Sequence, residues 1–321
     1  MKKICCAAAL LAAVLAPYAL YPVLLMKVLC FALFACAFNL LIGYTGLLSF
    51  GHAAFFGGGA YVAGYALTVL GLPVEIALLC GTAAGALTGW LVGSLAIRRQ
   101  GIYFTMITLA LAQMLYFVLV QAPWTGGENG LQGVPRGRLL GLLDLGSDIV
   151  LYYVVLAIAL GAYGLCVRLV HSPFGQVLAA IRQNEARATS LGYEAGHYKL
   201  LAFVLSAALS GLAGALMTLV LGFATLSDAH WSMSGLVVLM VLVGGLGTLA
   251  GPVVGAVVIV ALENKLGDIG NALAALTGID WFRALGDSVS VVTGLIFVAC
   301  VLTFRQGIVG TFHSYINRRT A

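Results

Sequence analysis

The most informative absence in this 321-residue sequence is charge. Only 8% of the residues are Asp, Glu, Lys or Arg, whereas 62% are hydrophobic. A soluble domain has about 25% charged residues, because its surface faces water. The stretches 200–227 and 229–262 contain none of these four residue types, and each is longer than the ~20 residues that a helix needs to cross hydrocarbon. The sequence therefore predicts an all-α, multi-spanning membrane protein.

The sequence also lacks the motifs that several kinds of chemistry require. No Gly-Lys pair occurs, so the phosphate-binding pattern G-x-x-x-x-G-K-[ST] is absent, and ATP hydrolysis would need another subunit. The seven cysteines form no CxxC pair and no Cys/His cluster, which favours packing over metal or redox chemistry. Glu75 and Glu263 lie at the ends of predicted spans, which argues against a self-sufficient proton-coupled carrier. We expect no catalytic residue, metal or cofactor in this chain.

Apolar runs bounded by charge, glycine or proline predict the membrane segments. They are 4–22, 24–43, 47–70, 73–97, 101–121, 149–170, 199–221, a glycine-interrupted region at 233–262, and 288–304. A cleaved signal peptide is the alternative for the first segment, but its apolar run continues to Val23, which is long for one. The prediction is a single domain, 1–321, with eight to ten membrane segments.

The distribution of basic residues orients the predicted bundle. With Lys2 and Lys3 in the cytoplasm, eleven of the sixteen Lys and Arg residues lie on that side, provided that 233–262 crosses an even number of times. Both termini are then cytoplasmic, and this bias explains the net charge of +5 without a nucleic-acid partner. Lys27 falls within a predicted span. It is either a functional cation or a residue near the outer end of its helix that reaches the interface.

Glycine is concentrated in two regions of the predicted membrane domain. Residues 43–64 contain seven glycines, a density that favours either a broken helix or very close helix packing. Residues 241–258 form a second glycine-rich region, and paired broken segments in two halves of a chain are typical of transporter pathways. The polar or small residues in and beside the two regions are our pathway candidates: Asn39, Tyr44, Ser49, His52, Gly57, Gly244 and Gly247.

The predicted cytoplasmic loop 171–198 contains the pattern of two short helices. Ser172-Pro173 is a good helix start, and a second helix could begin at Glu185 and stop at Gly192. One face of the first helix is apolar, and we call this face the apolar stripe: Phe174, Val177, Leu178 and Ile181. It could dock in the groove of a cytoplasmic partner or lie on the membrane surface.

The predicted outer loops are 122–148 and 263–287. Turn-forming residues dominate the first, around Gly126 and Gly127. Its candidate contacts to an external partner are Trp124, Glu128 and Asn129; a purely solvated connection is the alternative.

Six motifs in order resemble one family over residues 24–310. They are NLLIGYTGLLSFGHAAFFGGGAY (39–61), GIYFTMITLALAQM (101–114), TGGENGLQGVP (125–135), SPFGQVLAAIRQNEARATSLG (172–192), YKLLAFVLSAALSGLAGAL (198–216) and VVLMVLVGGLGTLAGPVVGA (237–256). Together they resemble the LivM-type permease of bacterial branched-chain amino acid ABC importers. The resemblance implies an inner-membrane subunit that works with a homologous LivH-type permease, two cytoplasmic ATPases that use ATP and Mg, and a periplasmic amino-acid-binding protein. The subunit itself is surrounded by membrane lipid.

The same resemblance identifies 172–192 as the ATPase-coupling loop. Its candidate residues are Ser172, Pro173, Phe174, Ile181, Arg182, Glu185, Ala186 and Gly192. Glu185-Ala186 with Gly192 looks like a degenerate Glu-Ala-Ala…Gly coupling motif, with Arg187 as the third residue and the glycine one position later. The alternatives are a urea, amide or aromatic-acid permease of the same architecture, or a stand-alone carrier or channel.

Overall fold

The computed structural model describes residues 2–139, 141, 143–277, 294–295, 298 and 307–311. Its principal elements are helical, as expected, and the strands have two residues each. The helices are α1 (Lys2–Ala19), α2 (Pro22–Tyr44), α3 (His52–Thr68), α4 (Val74–Ala96), α5 (Ile102–Gln121), α6 (Asp148–His171), α7 (Pro173–Gln183), α8 (Glu185–Ser190), α9 (Ala195–Leu221), α10 (Leu226–Ala229), α11 (Trp231–Gly244) and α12 (Gly251–Thr277). The strands are β1 (Leu131–Gln132), β2 (Arg138–Leu139), β3 (Leu143–Asp144) and β4 (Phe223–Ala224).

Among the described residues, five helices are long and apolar enough to cross a membrane: α2, α4, α5, α6 and α9. The shorter α11 is also apolar. These helices match the predicted segments closely, because each apolar run ends at charge, proline or glycine. The chain is therefore a multi-pass helical membrane protein. Most of the predicted segment 288–304, and the basic residues after it, lie outside the described residues.

Helix α9 occupies the centre of the bundle and packs against α2, α3 and α4. Small residues permit this close packing. A Cβ at Gly59 would lie 2.5 Å from the Cα of Gly211, and a Cβ at Gly85 would lie 3.0 Å from the same atom. Helices in lipid associate through such close backbone approaches, since burial of apolar area drives them little there. Part of the glycine enrichment is therefore helix packing.

Each of the two glycine-rich regions also contains a break. Helix α2 ends at Tyr44 and α3 begins at His52, so the first break is 45–51 and Gly57 lies inside a continuous helix. The second break, 245–250, separates α11 from α12. Gly245 and Gly247 have φ values of 126° and 71° there, a region of backbone conformation that favours glycine. The region 233–262 is thus two helices.

The two ends of the bundle differ, and we name them the α7–α8 end and the sheet end. At the sheet end β1 pairs antiparallel with β4, with Leu131 opposite Ala224, and β2 pairs with β3. Arg136 anchors the segment 122–148 by an ion pair with Asp148 at 2.5 Å and by a hydrogen bond to the Val220 carbonyl at 3.2 Å. This segment is held against α6 and α9.

The structure differs from the sequence prediction in the first part of the second predicted outer loop, 263–287. Helix α12 continues through it to Thr277, and residues 278–287 lie outside the described part. The charged residues that suggested a loop are accommodated on the helix: the Glu263 side chain is half-buried and interacts electrostatically with Lys27. Lys27 also interacts with Asp228 and lies 6.0 Å from the centre of the Phe31 ring. It therefore points towards the acidic residues of α10 and α12.

Candidate functional site

The segment between α6 and α9 folds as two short helices, and local side chains define where each begins. The Ser172 hydroxyl caps α7 by accepting a backbone N–H at 3.4 Å, and Pro173 is its first residue. The Asn184 side chain caps α8 by accepting a backbone N–H at 3.0 Å. Gly192, with φ of 91°, follows the end of α8. The sequence predicted both helices.

The apolar stripe of α7 faces the chain's own helices. Ile181 packs with Ala188 of α8 and Ala195 of α9. The Phe174 ring stacks on the Tyr198 ring at 5.8 Å. The first turn of α9 supplies this apolar surface, so Leu178 and Ile181 are buried within the chain, while Phe174 and Val177 are half-buried. Docking of the stripe on a partner or on the membrane surface stays a prediction.

The exposed surface at this end includes most of α8 and the residue after it. Ala186 and Arg187 are exposed, and Leu191 is 71% exposed. Beside them an open depression is lined by Gln100 and by residues of α8. An exposed leucine next to basic and small residues makes a compact surface suited to contact with a protein.

Glu185 connects three parts of the structure. Its Oε2 lies 2.6 Å from the Lys199 Nζ of α9 and accepts a hydrogen bond from Gln100 Nε2 at 2.7 Å. The Lys199 side chain is only 6% exposed, so its charge depends on this partner. Glu185 therefore fixes α8 to α9 and to the connection between α4 and α5.

Arg182 and Asn39 join the α7–α8 end to both glycine breaks. The Arg182 guanidinium donates to the Gly43 carbonyl at the end of α2. Asn39 donates from Nδ2 to the Thr248 carbonyl at 2.9 Å and accepts from the Gly247 N–H at 3.0 Å. A Cβ at Gly43 would lie 3.0 Å from the Gly247 Cα, so the last turn of α2 touches the second break. Cβ atoms at Gly46 of the first break and Gly247 of the second would lie 3.2 and 3.5 Å from atoms of the Arg182 side chain. One junction thus contains α7 and both breaks.

Tyr44 lies beside this junction. It borders a small cavity between α2, α6 and the second break. The cavity is lined by Cys36, Asn39, Leu40, Tyr44, Tyr163, Cys166, Val170 and Leu249.

His52, at the first turn of α3, is fully buried. Its Nε2 lies 2.8 Å from the Ser206 Oγ of α9, and Ser206 donates its own proton to the Ala37 carbonyl. Since that hydroxyl has one proton, His52 Nε2 must be the donor, and Nδ1 is left as an acceptor without a partner. The rings of Phe38 and Phe203 contact the imidazole edge-on at 5.0 and 5.8 Å.

The remaining pathway candidates are tightly packed. Ser49 is fully buried, and its Oγ accepts the Gly51 N–H at 3.2 Å. A Cβ at Gly57 would lie 2.6 Å from the Ala229 Cα, and one at Gly244 would overlap the next helix, α12. Their packing leaves their assignment to a pathway as a prediction.

The three candidate partner contacts lie together at the sheet end. Trp124 is 38% exposed and contacts the Tyr65 ring at 5.6 Å. Glu128 and Asn129 follow on an exposed 3₁₀ turn. Gly130 is required after them, because a Cβ there would overlap the Ala224 carbonyl oxygen.

Sequence reasoning missed Lys199, Gln100 and Ser206 as members of these clusters. Lys199 could have been recognised from the sequence, because a charge at the start of an apolar span needs an acidic partner. Gln100 and Ser206 could not have been recognised in this way, since their partners are 85 and 154 residues away along the chain. Within the described ranges, no group of three or more His, Cys, Asp and Glu residues is arranged to hold a metal.

Residues 22–272 match the family described as "Branched-chain amino acid transport system / permease component". The high-affinity branched-chain amino acid transport system permease protein LivM of Salmonella typhimurium is 29% identical over 253 residues, and that of Escherichia coli is 28% identical over 253 residues. Each alignment covers 72% of this chain and 60% of the relative. The autoinducer 2 import system permease protein LsrC of Yersinia enterocolitica is 29% identical over 203 residues, 61% of this chain and 53% of the relative.

Proposed function

The chain belongs to the branched-chain amino acid transport system permease family, and on that premise we propose that it is the membrane subunit of an ATP-driven importer for branched-chain or related hydrophobic amino acids. The observation that carries the proposal is the junction of Arg182, Asn39 and the two glycine breaks. A surface helix pair whose Arg182 bonds to the end of α2 and lies beside both breaks can pass a mechanical displacement to them.

The proposed division of labour follows from what the chain contains. Two separate cytoplasmic ATPases bind ATP and Mg and hydrolyse ATP, and this chain uses no cofactor. They contact the exposed surface of α8 around Ala186 and Arg187. The chain lies in the bacterial inner membrane with both termini in the cytoplasm.

A periplasmic binding protein loaded with solute docks at the sheet end, on Trp124, Glu128 and Asn129. A homologous LivH-type permease completes the membrane part, and lipid covers the remaining apolar surface. Nucleic acid has no part in this assembly.

The proposed mechanism is a displacement of α7 and α8 as a unit. Glu185 and the apolar stripe make that unit rigid, because an ion pair and a packed core connect it to the start of α9. Movement of the unit shifts Arg182 relative to Gly43, and the contact between the last turn of α2 and the second break changes with it. Breaks of this kind are the points at which membrane helices bend most easily.

The substrate is proposed from the names of the relatives. Those with the longer alignments are named for branched-chain amino acids, and two further relatives are named for import of autoinducer 2. A permease for autoinducer 2 is therefore the second candidate. Calorimetry on the binding protein that co-purifies with the complex, with leucine and autoinducer 2 as ligands, separates the two.

Charge reversal at the two ends of the bundle tests the assembly. Arg187→Glu changes the exposed surface of α8, and Arg138→Glu makes the same change on exposed β2. We expect Arg187→Glu to reduce co-purification of ATPase subunits with the tagged chain, and Arg138→Glu to leave it unchanged. Equal recovery of ATPases with both variants would contradict the docking surface.

A further inference from the structure

Helices α3 and α5 contact each other at two positions along their length and leave a space between those positions. Near one end of α3, a Cβ at Gly51 would lie 2.9 Å from the Thr108 carbonyl of α5. Further along, Tyr61 and Leu119 belong to one apolar cluster. Gly58 lies between these two contacts, seven residues after Gly51 and three before Tyr61, and helical spacing puts all three on one face.

The surroundings of Gly58 differ from those of its neighbours. A Cβ at Gly58 would meet no atom within 4 Å, whereas Cβ atoms at Gly57 and Gly59 would lie 2.6 and 2.5 Å from backbone atoms of α10 and α9. Gly58 is also half-buried rather than buried. Between the α3–α5 contacts there is therefore a gap, which we call the Gly58 gap.

Two polar atoms on the same two helices have no hydrogen-bond partner. The hydroxyl of Tyr61 and the Nε2 of Gln113 are both buried and unpaired in the structure. Tyr61 is 0% exposed. Gln113 is the twelfth of the twenty residues of α5, near the middle of the span. Hydrocarbon provides no partner for such groups, and buried polar groups are rarely left unsatisfied.

Further polar side chains surround these two atoms. Tyr116 packs in the same cluster as Tyr61, and Asp228 directly precedes Ala229 of that cluster. Tyr116 is three residues after Gln113, on the same face of α5, and its ring lies 5.4 Å from that of His230. The two hydrogen bonds that Thr225 donates to Asp228 both end on Oδ2. The cluster thus combines unused donors with a carboxylate, which Lys27 of α2 also faces.

Apolar residues complete the surroundings. Leu119, Ala224 and Leu226 pack in the same cluster as Tyr61. Hydrogen-bond donors of α3 and α5, one acidic group of α10 and an apolar wall thus lie on helices that contact one another. That combination matches a small zwitterion with an apolar side chain.

We propose that the Gly58 gap is a binding position for the transported solute, a zwitterionic amino acid with an apolar side chain. Its carboxylate accepts hydrogen bonds from Gln113 Nε2 and the Tyr61 hydroxyl, and its ammonium group faces Asp228. The solute thereby satisfies two atoms that the fold leaves unpaired. This inference rests on the proposed function and gives it a site within the chain.

The test uses the complete importer in proteoliposomes, with saturating binding protein and radiolabelled leucine. Tyr61→Phe and Gln113→Leu remove only the unpaired groups, so neither should lower the thermal stability of the complex. We expect each to reduce the maximal uptake rate roughly three- to tenfold, the effect of one lost hydrogen bond. ATP hydrolysis stimulated by the empty binding protein should be retained.

A pair of glycine substitutions tests the gap itself. Gly58→Leu fills it, and Gly161→Leu adds the same side chain to exposed α6, where a Cβ also meets nothing within 4 Å. We expect uptake to be lost with the first and kept with the second, with both complexes assembled.

The outcomes distinguish failure of the proposed importer function from failure of the proposed solute site. If the unmodified complex takes up no leucine with ATP, the proposed function fails for leucine. If the unmodified complex transports and Tyr61→Phe, Gln113→Leu and Gly58→Leu all match Gly161→Leu, the solute site is overturned and the importer stands. Uptake that falls only in parallel with thermal stability would also overturn the site, because it would show a structural role.

Discussion

The Lys199 ammonium lies 2.6 Å from the Glu185 carboxylate, with the lysine side chain almost entirely buried. These two residues join α8 to the first turn of α9, the central helix of the bundle. A buried ammonium without a partner is strongly unfavourable, so the position of α8 is coupled to the integrity of α9. The proposed transmission of movement begins at this pair.

Replacing Glu185 by Gln leaves the Lys199 charge buried and unpaired. We expect the free energy of unfolding to fall by roughly 1–3 kcal/mol, measured from the thermal unfolding midpoint of the purified complex. The control is Glu194→Gln, which affects the fully accessible pair with His197 and should change the midpoint little. Adding Lys199→Met to Glu185→Gln should recover stability. A similar midpoint for the two single variants would refute the role given to Glu185.

Replacing Asn39 by Leu removes both hydrogen bonds to the second glycine break. The Gly247 N–H should then exchange with deuterium faster, because its acceptor is lost. Asn264→Leu is the matched control, since among the described residues Asn264 donates to the Val260 carbonyl within its own helix. Unchanged exchange at 245–250 in Asn39→Leu would show that the break is held by other contacts.

Replacing Gly59 by Ala should separate α3 from α9. The new Cβ would lie 2.5 Å from the Gly211 Cα, and backbone atoms cannot move aside as a side chain can. We expect a loss of roughly 1–3 kcal/mol in stability. Gly161→Ala, in open surroundings, should cause no loss. Thermal unfolding of the two variants side by side measures the difference.

Replacing Arg182 by Met should uncouple ATP hydrolysis from transport. The variant loses the bond to the Gly43 carbonyl while α7 and α8 retain their packed core. We expect leucine transported per ATP hydrolysed to fall about fivefold or more, the range of a typical coupling energy. Arg99→Met, a change at an exposed arginine next to Gln100, should leave the ratio unchanged. An unchanged ratio in both variants argues against transmission through Arg182.

Local features of the fold could be predicted from the sequence. The boundaries of α4, α5 and α6 lie within one residue of the predicted segments, because proline, arginine or serine interrupts each apolar run. The starts of α7 and α8 were also predictable, since the caps Ser172 and Asn184 act on the next three residues. Interactions between residues so close in the chain can be recognised from the sequence alone.

Other features depend on contacts between distant segments. Helix α9 begins at Ala195, four residues earlier than predicted, because Glu185 allows Lys199 to lie inside a helix. The pairing of Asn39 with Thr248 spans 209 residues and leaves no local pattern. The Gly58 gap is likewise invisible in the sequence, where Gly57, Gly58 and Gly59 are identical neighbours.

Uptake of radiolabelled leucine into proteoliposomes tests the central claim most directly. The tagged chain is reconstituted either alone or with its co-purified subunits and binding protein, with and without ATP. We predict uptake only in the complete assembly supplied with ATP. Uptake by the chain alone, driven by a gradient and indifferent to ATP, would contradict the account and identify a stand-alone carrier.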